Sequence, residues 1–188
     1  MLLYLDSGAY FIESIDSLVD LQKSINQDII PFYDQHLEKT YTKMDCLLLL
    51  NLNKPEFLNN PQIMSGFIVF RKSIFSINFI NEWLKYIQDE RIVTDIENTL
   101  GVKNYKEFKE HRHDQSIFSL LCKKYNLQSF PDPTQFGNKE RSRLKDNRLK
   151  QIFHHTKADK KKKTINERLS RLIQKIYNIP FRIKKIIS

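Results

Sequence analysis

Apolar residues in this chain fall into two rhythms, short unbroken runs and helical stripes, and their order predicts strands interleaved with helices. The run 2–5 stops at Asp6-Ser7-Gly8, the pattern of a buried strand ending in a turn. Ile15, Leu18, Leu21 and Ile25 share one face at helical spacing and predict an amphipathic helix over 15–25. Residues 29–33 read as a strand. The polar and aromatic stretch HLEKTYTKMD then leads into the apolar run 46–50, and NLNKPEFLNNPQ, with Asn and Pro at turn-forming positions, reads as a loop. From Ile63, IMSGFIVFRK predicts a second buried strand, interrupted by Gly66.

Over 73–90, Ile77, Ile80, Leu84 and Ile87 recur at helical spacing and define the apolar face of the most strongly patterned helix. Trp83, one position from that face, is expected in the core. After a polar segment, HRHDQSIFSLLCKKY predicts a helix capped by Asp114, with Ile117, Leu120 and Leu121 inward. Short strands are expected at 127–130 and 151–155. Near the end, Thr164 and Glu167 have capping-box spacing, and Ile165, Leu169, Leu172, Ile173 and Ile176 form one apolar stripe. There is no internal repeat, and the expected class is α/β.

A length of 188 residues leaves room for one domain with a core, or a partial domain with an appendage. Thirteen Phe and eight Tyr make that core aromatic, which suits a mixed α/β interior. Cys46 and Cys122 lie far apart without CxxC spacing, so neither a disulfide framework nor a zinc site is indicated and a reduced cytoplasmic setting is expected. The start MLLYLDSG lacks a basic segment and a long apolar run, and nowhere do 18 apolar residues follow one another, so neither a signal peptide nor a membrane span is expected.

The net charge of +9 conceals two opposite halves. Residues 139–188 hold 17 Lys and Arg against four Asp and Glu, a net of +13, which leaves −4 for residues 1–138. An acidic body with a basic tail points to a tail that meets an anionic partner. KADKKKK followed by ERLSRLIQKIYNIPFRIKKIIS can lie in an anionic membrane surface with Leu and Ile inserted, or form a helix packed on the body beside a solvated lysine run. Nucleic acid is the rival partner, but no helix-turn-helix, zinc or RNP signature accompanies the charge.

An aspartate ending a hydrophobic strand can hold a hard divalent cation against a diphosphate, and Asp6 is the candidate; its plainer reading is a turn residue. The ordered segments YLDSG, EKTYTKMD, IMSGFIVFRKS with a downstream EW, EHRHDQSIFSLL and IFHHTKADKKK together resemble small bacterial and viral nucleotide-sugar glycosyltransferases of the GT-A fold, over about residues 2–160. HRHDQSIFSLL is the most specific piece. The resemblance implies glycosyl transfer from a nucleotide sugar to a hydroxyl acceptor, in surface polysaccharide or lipid-linked saccharide synthesis. It places Asp6 and a late histidine, His154 or His155, at a divalent metal (Mn²⁺ or Mg²⁺), Gly66 near the sugar and acceptor, and Asp114 and Gln115 beside the reacting centre.

Each assignment has a plainer counterpart in the residues themselves. Asp114 can simply cap its helix, and His113, a substrate-binding candidate beside it, can like His111 be solvated in a polar loop. Glu38, Lys43 and Asp45 can bind acceptor hydroxyls or form ordinary surface. Two departures from the family pattern stand out. Its metal motif has two aspartates separated by one residue, whereas here Gly8 occupies the third position, so only one side-chain carboxylate is offered. Its Rossmann-like nucleotide-binding half precedes the strand ending at Asp6, and here five residues do, so the resemblance implies that this half is missing. The expected organisation is a partial GT-A-like domain over 1–138, extending as far as 155, and a basic helical tail over 156–188. A catalytically inactive interaction module derived from a transferase is the third reading.

Overall fold

A computed structural model describes residues 1–144 and 150–156; the expected capping box at Thr164 and the stripe beginning at Ile165 lie outside the described residues. The described chain is mixed α/β. Its main sheet has the order β1 (Leu2–Leu5), β4 (Pro61–Phe70), β3 (Ile29–Leu37) and β5 (Phe130–Pro131). β4 runs antiparallel to both neighbours, and β5 joins β3 in parallel. A separate antiparallel pair joins β2 (Ala9–Phe11) to β6 (Phe153–His155). The fold therefore reaches at least to His155.

Strand alternation sends neighbouring residues to opposite faces, so both faces of the sheet carry a core. On one face Ile29, Ile63, Ile68 and Phe70 pack with residues of α3 (Met44–Leu49), α5 (Ile74–Ile87), α6 (Glu90–Val93) and α7 (His113–Lys124). On the other, Ile30, Phe32, Phe67 and Val69 meet Leu18 and Leu21 of α1 (Asp16–Ser24), together with Phe130, Ile152 and Phe153. Burial on both sides explains why 29–33 and 67–70 read as continuous apolar runs.

Several elements carry no periodic signal long enough to read. The one-turn helix α2 (Glu38–Tyr41) lies in the polar and aromatic stretch that carries no predicted element, and α4 (Pro55–Leu58) in the stretch that reads as loop, with Pro55 opening α4 as its fixed φ allows. β2 escapes prediction because Tyr10 and Phe11 are exposed and leave no alternating pattern. The expected strand at 127–130 contracts to Phe130–Pro131, where pairing with β3 is confined to Phe32 and Tyr33.

The predicted helix over 73–90 forms as α5, held at its start by a reciprocal capping box between Ser73 and Ser76. Its buried side differs from expectation. Phe75, Phe79, Trp83, Tyr86 and Ile87 face the core, with Phe79 and Trp83 against Phe118 at ring separations of 5.7 and 4.9 Å. Ile77, Ile80 and Leu84 instead face outward, 44%, 40% and 51% exposed, with Ile74 at 82%. The two stripes compete at the same period, and the larger rings bury more area.

Two irregularities interrupt the β3–β4 ladder. Between the pairs Ile30–Val69 and Phe32–Met64, two steps along β3 correspond to five along β4. Pro31 lies there and has no N–H to donate, so Ser65 and Gly66 are released from β3. Between Tyr33–Ile63 and Leu37–Pro61 the excess is on β3, at Asp34, Gln35 and His36. Both irregular stretches border the same cleft.

Candidate functional site

The cleft, of about 990 Å³, opens where β1 ends, where β4 leaves β3 and where α7 begins. Tyr4 and Asp6 line it from β1, Ser65 and Gly66 from β4, and His113, Asp114 and Gln115 from α7. Phe136, Glu140 of α8 (Asn138–Leu144) and His155 line it from the later chain.

The Asp6 backbone N–H still reaches Gly66 O at 2.8 Å, extending the β1–β4 ladder by one step. Its side chain folds over Gly66, where an added Cβ would lie 3.1 Å from Oδ2. A side chain at Gly66 would thus press on this carboxylate and oblige it to shift by a few tenths of an ångström. Tyr4 donates its hydroxyl to Asp6 Oδ1 at 2.7 Å. That hydrogen bond, with burial and the charges of Asp6 and Asp114, raises the phenol above its ordinary pKa. Both carboxylates therefore act on one phenol.

At the start of α7, Asp114 is not the cap. Arg112 holds that position without a side-chain cap bond, and Asp114 sits inside the first turn, where a negative charge suits the helix dipole. Asp114 Oδ2 accepts from Ser65 Oγ at 3.3 Å, and its backbone carbonyl accepts from Trp83 Nε1 at 3.0 Å. His113 takes a left-handed backbone, φ +50°, a conformation that a non-glycine residue holds only under surrounding constraint. Part of that constraint is its ring, which pairs with Asp95 Oδ2 at 3.0 Å and holds the Asp95 carboxyl below its usual range. Gln115 Nε2 donates to Gln62 Oε1 at 3.0 Å.

His111, expected in a solvated loop, is buried instead. Its Nδ1 accepts from the Lys43 N–H at 3.3 Å, which leaves Nε2 to donate to Ile92 O at 2.7 Å. Burial pushes this imidazole down to about 4, so it is neutral at pH 7. Arg112, within the same motif, lies over the Tyr41 ring at 3.9 Å and bonds Asp34 Oδ2 at 2.7 Å.

The structure thus gathers Asp6, Gly66, His113, Asp114, Gln115 and His155 at one cleft and places the remaining candidates elsewhere. Glu38, fully buried, accepts from Thr42 at 2.6 Å, from Ser119, and from Lys123 at 2.7 Å. Lys43 is buried too, its ammonium donating to Ile96 O at 2.6 Å. Asp45 is buried and accepts from the Thr99 N–H at 2.6 Å and hydroxyl at 2.8 Å; although burial opposes it, these donors hold its carboxyl below the usual range. These three polar groups are used inside the protein, away from the cleft. The two late histidines divide as strand neighbours do: the His154 ring lies 5.3 Å from Tyr10, while His155 lies beside Gly8, where an added Cβ would come within 3.3 Å of its ring.

Sequence reading missed Tyr4, Asp34, Ser65, Asp132 and Glu140 as cleft residues. Tyr4 and Ser65 adjoin predicted residues, but Asp34 depends on the β3 bulge and carries no local signal. Asp6, Asp34, Glu110, Asp114, Asp132 and Glu140 line the cleft with Arg112, whose charge Asp34 already meets at 2.7 Å. Burial raises Asp132 above the ordinary carboxylate range. An anion entering this acidic cleft needs a cation with it, whereas a neutral polyol meets ready acceptors.

Among the described residues no group of three or more His, Cys, Asp or Glu is disposed to hold a metal. Asp6 and His155 nonetheless border the same cleft. A magnesium-like cation that keeps waters and takes phosphate oxygens fits one carboxylate of this kind, without an all-protein cage. Compared with protein-family models, curated proteins and solved structures, the chain matches none of them.

Proposed function

We propose that this cleft is the acceptor side of a GT-A-like glycosyltransferase, which transfers a sugar from a nucleotide-sugar donor to a hydroxyl of a glycan or lipid-linked acceptor. The observation that carries the reading is the meeting of Asp6, Gly66 and the His113-Asp114-Gln115 corner from three distant segments in a cleft rich in carboxylates. Such a surface suits hydroxyl recognition. A bound Mn²⁺ or Mg²⁺ would neutralise the donor's diphosphate, with Asp6 holding it and His155 within the same cleft. Asp114 accepts the proton of the attacking acceptor hydroxyl as the oxygen bonds to the sugar's anomeric carbon, and the nucleoside diphosphate leaves with the electrons of the broken bond. Trp83 and Ser65 position Asp114 for that role.

The acidic cleft disfavours nucleic acid there, so any phosphate-backbone binding falls to the +13 segment 139–188. The basic tail is proposed to meet an anionic membrane surface, in keeping with a lipid-linked acceptor. No helix of the described residues is long and apolar enough to cross a membrane. The decisive test is isothermal titration of the chain with UDP and Mn²⁺, beside Asp6→Ala. Binding that needs both the metal and Asp6 supports the donor role; a folded chain that binds in neither case removes it.

A further inference from the structure

The outward stripe of α5 has no role in the cleft. Ile74, Ile77, Ile80 and Leu84 continue along nearly three turns, a row roughly 15 Å long at 1.5 Å per residue. Between them on the exposed side stand Asn78 and Asn81, which carry no charge, and Lys72 and Lys85 stand near the two ends. α5 contains one acidic residue, Glu82, whose carboxylate is taken by Lys124 at 2.6 Å and by the Tyr125 hydroxyl at 2.5 Å. The exposed side is thus apolar and amide-bearing, with a lysine near each end. It lacks the mixed charges of an ordinary solvent-facing helix.

The charges select the occupant. A second copy laid antiparallel on this stripe, centred near Phe79, sets Lys72 of each chain close to Lys85 of the other. The tail's own stripe, Ile165 to Ile176, is interleaved with Arg168, Arg171 and Lys175, so folding it onto α5 also sets cations beside lysines. An anionic lipid surface has the opposite relation: isoleucines and Leu84 enter the acyl boundary while the lysines meet headgroups. We infer that the Ile74–Ile77–Ile80–Leu84 face of α5 docks on an anionic membrane surface, as a contact separate from the basic tail. Through Trp83, which flanks the stripe about 100° round the helix from Leu84, this face is linked to the start of α7.

The proposal does not depend on glycosyl transfer and is tested without substrate. Trp83 is the only tryptophan, so its fluorescence reports on α5 alone. The full chain is floated with phosphatidylcholine vesicles, with and without phosphatidylglycerol, some of them carrying bromine on the acyl chains. The expected result is flotation with the anionic vesicles together with quenching of Trp83 by the brominated lipid. Replacing the exposed Ile77 and Leu84 by Asn should abolish quenching and lower partitioning about tenfold, with an unchanged far-UV circular dichroism spectrum. Flotation without quenching would assign all membrane contact to the tail, and no flotation, or equal binding by the variant, would equally overturn the inference. So would a dimer in vesicle-free solution that the same two substitutions dissociate, since it would give the face to a second copy.

Discussion

Trp83 on α5 and Asp114 on α7 are joined by a hydrogen bond from the indole Nε1 to the backbone carbonyl, 3.0 Å long. The indole also packs against Phe118, one turn further along α7, so a single side chain sets the position of the helix opening. Trp83→Phe should keep most of the packing and lose the hydrogen bond, lowering stability by about 1 kcal/mol. Urea denaturation followed by circular dichroism measures it. Under the proposed function, the same variant lowers turnover more than donor affinity.

Gly66→Ala places a methyl group 3.1 Å from Asp6 Oδ2. The cheapest adjustment is rotation of the carboxylate away from β4. The expected outcome is a small change in unfolding midpoint and, under the proposed function, at least a tenfold loss of Mn²⁺-dependent UDP affinity, a loss of about 1.4 kcal/mol. Undiminished affinity would remove Gly66 from the proposed donor site.

Glu38 and Lys123 form an ion pair at 2.7 Å, with side-chain exposures of 0% and 10%. Lys123→Met leaves the carboxylate buried with hydroxyl donors and no cation, and should cost about 3 kcal/mol or more. Adding Glu38→Gln should recover much of that loss, because the amide needs no counter-charge. Denaturant midpoints of the single and double variants decide it. Were Glu38 a ligand group in the cleft, Glu38→Gln would weaken binding instead.

His111 makes stability depend on pH in a known direction. The folded ring takes a proton only near 4, the unfolded one near 6.5. Its contribution is therefore complete above 6.5, declines as pH falls through that window, and is lost below about 4. The fall amounts to roughly 3 kcal/mol from this one group. Unfolding free energy should be level from pH 7 to 8 and decline below 6.5, while an NMR titration of the His111 ring shows no protonation until well below 6.

Much of the scaffold is legible in the sequence because its signals are local. The run ending at Asp6, the stripe Leu18–Leu21 and the apolar β4 each follow from neighbouring residues, and each element appears where expected, although the first is an edge strand with Leu2 and Tyr4 exposed rather than the buried strand its apolar run predicts. What the sequence conceals is competition and long-range pairing. On α5 an aliphatic and an aromatic stripe share one period, and packing against Phe118 selects between them. Glu38, Lys43 and Asp45 sit in a polar stretch that reads as surface, but α2 and α3 fold it inward against partners from 94 to 123. Asp34 reaches the cleft only through the second irregularity, where Tyr33 to Leu37 of β3 spans four steps against two on β4, and no local pattern marks it.

The pairing of β2 with β6 joins segments far apart in the chain, and beside it the Thr156 hydroxyl donates to Gly8 O across 148 residues of sequence. A contact closing so large a loop is slow to form, and three short rungs give it little protection of its own. Amide hydrogen exchange should find the Ala9–Phe11 and Phe153–His155 protons exchanging well before those of Ile29–Tyr33 and Phe67–Phe70. On that expectation His155 belongs to the early-opening unit and Asp114 to the slowly exchanging body, so the cleft would have one wall that unlatches while the other keeps its shape.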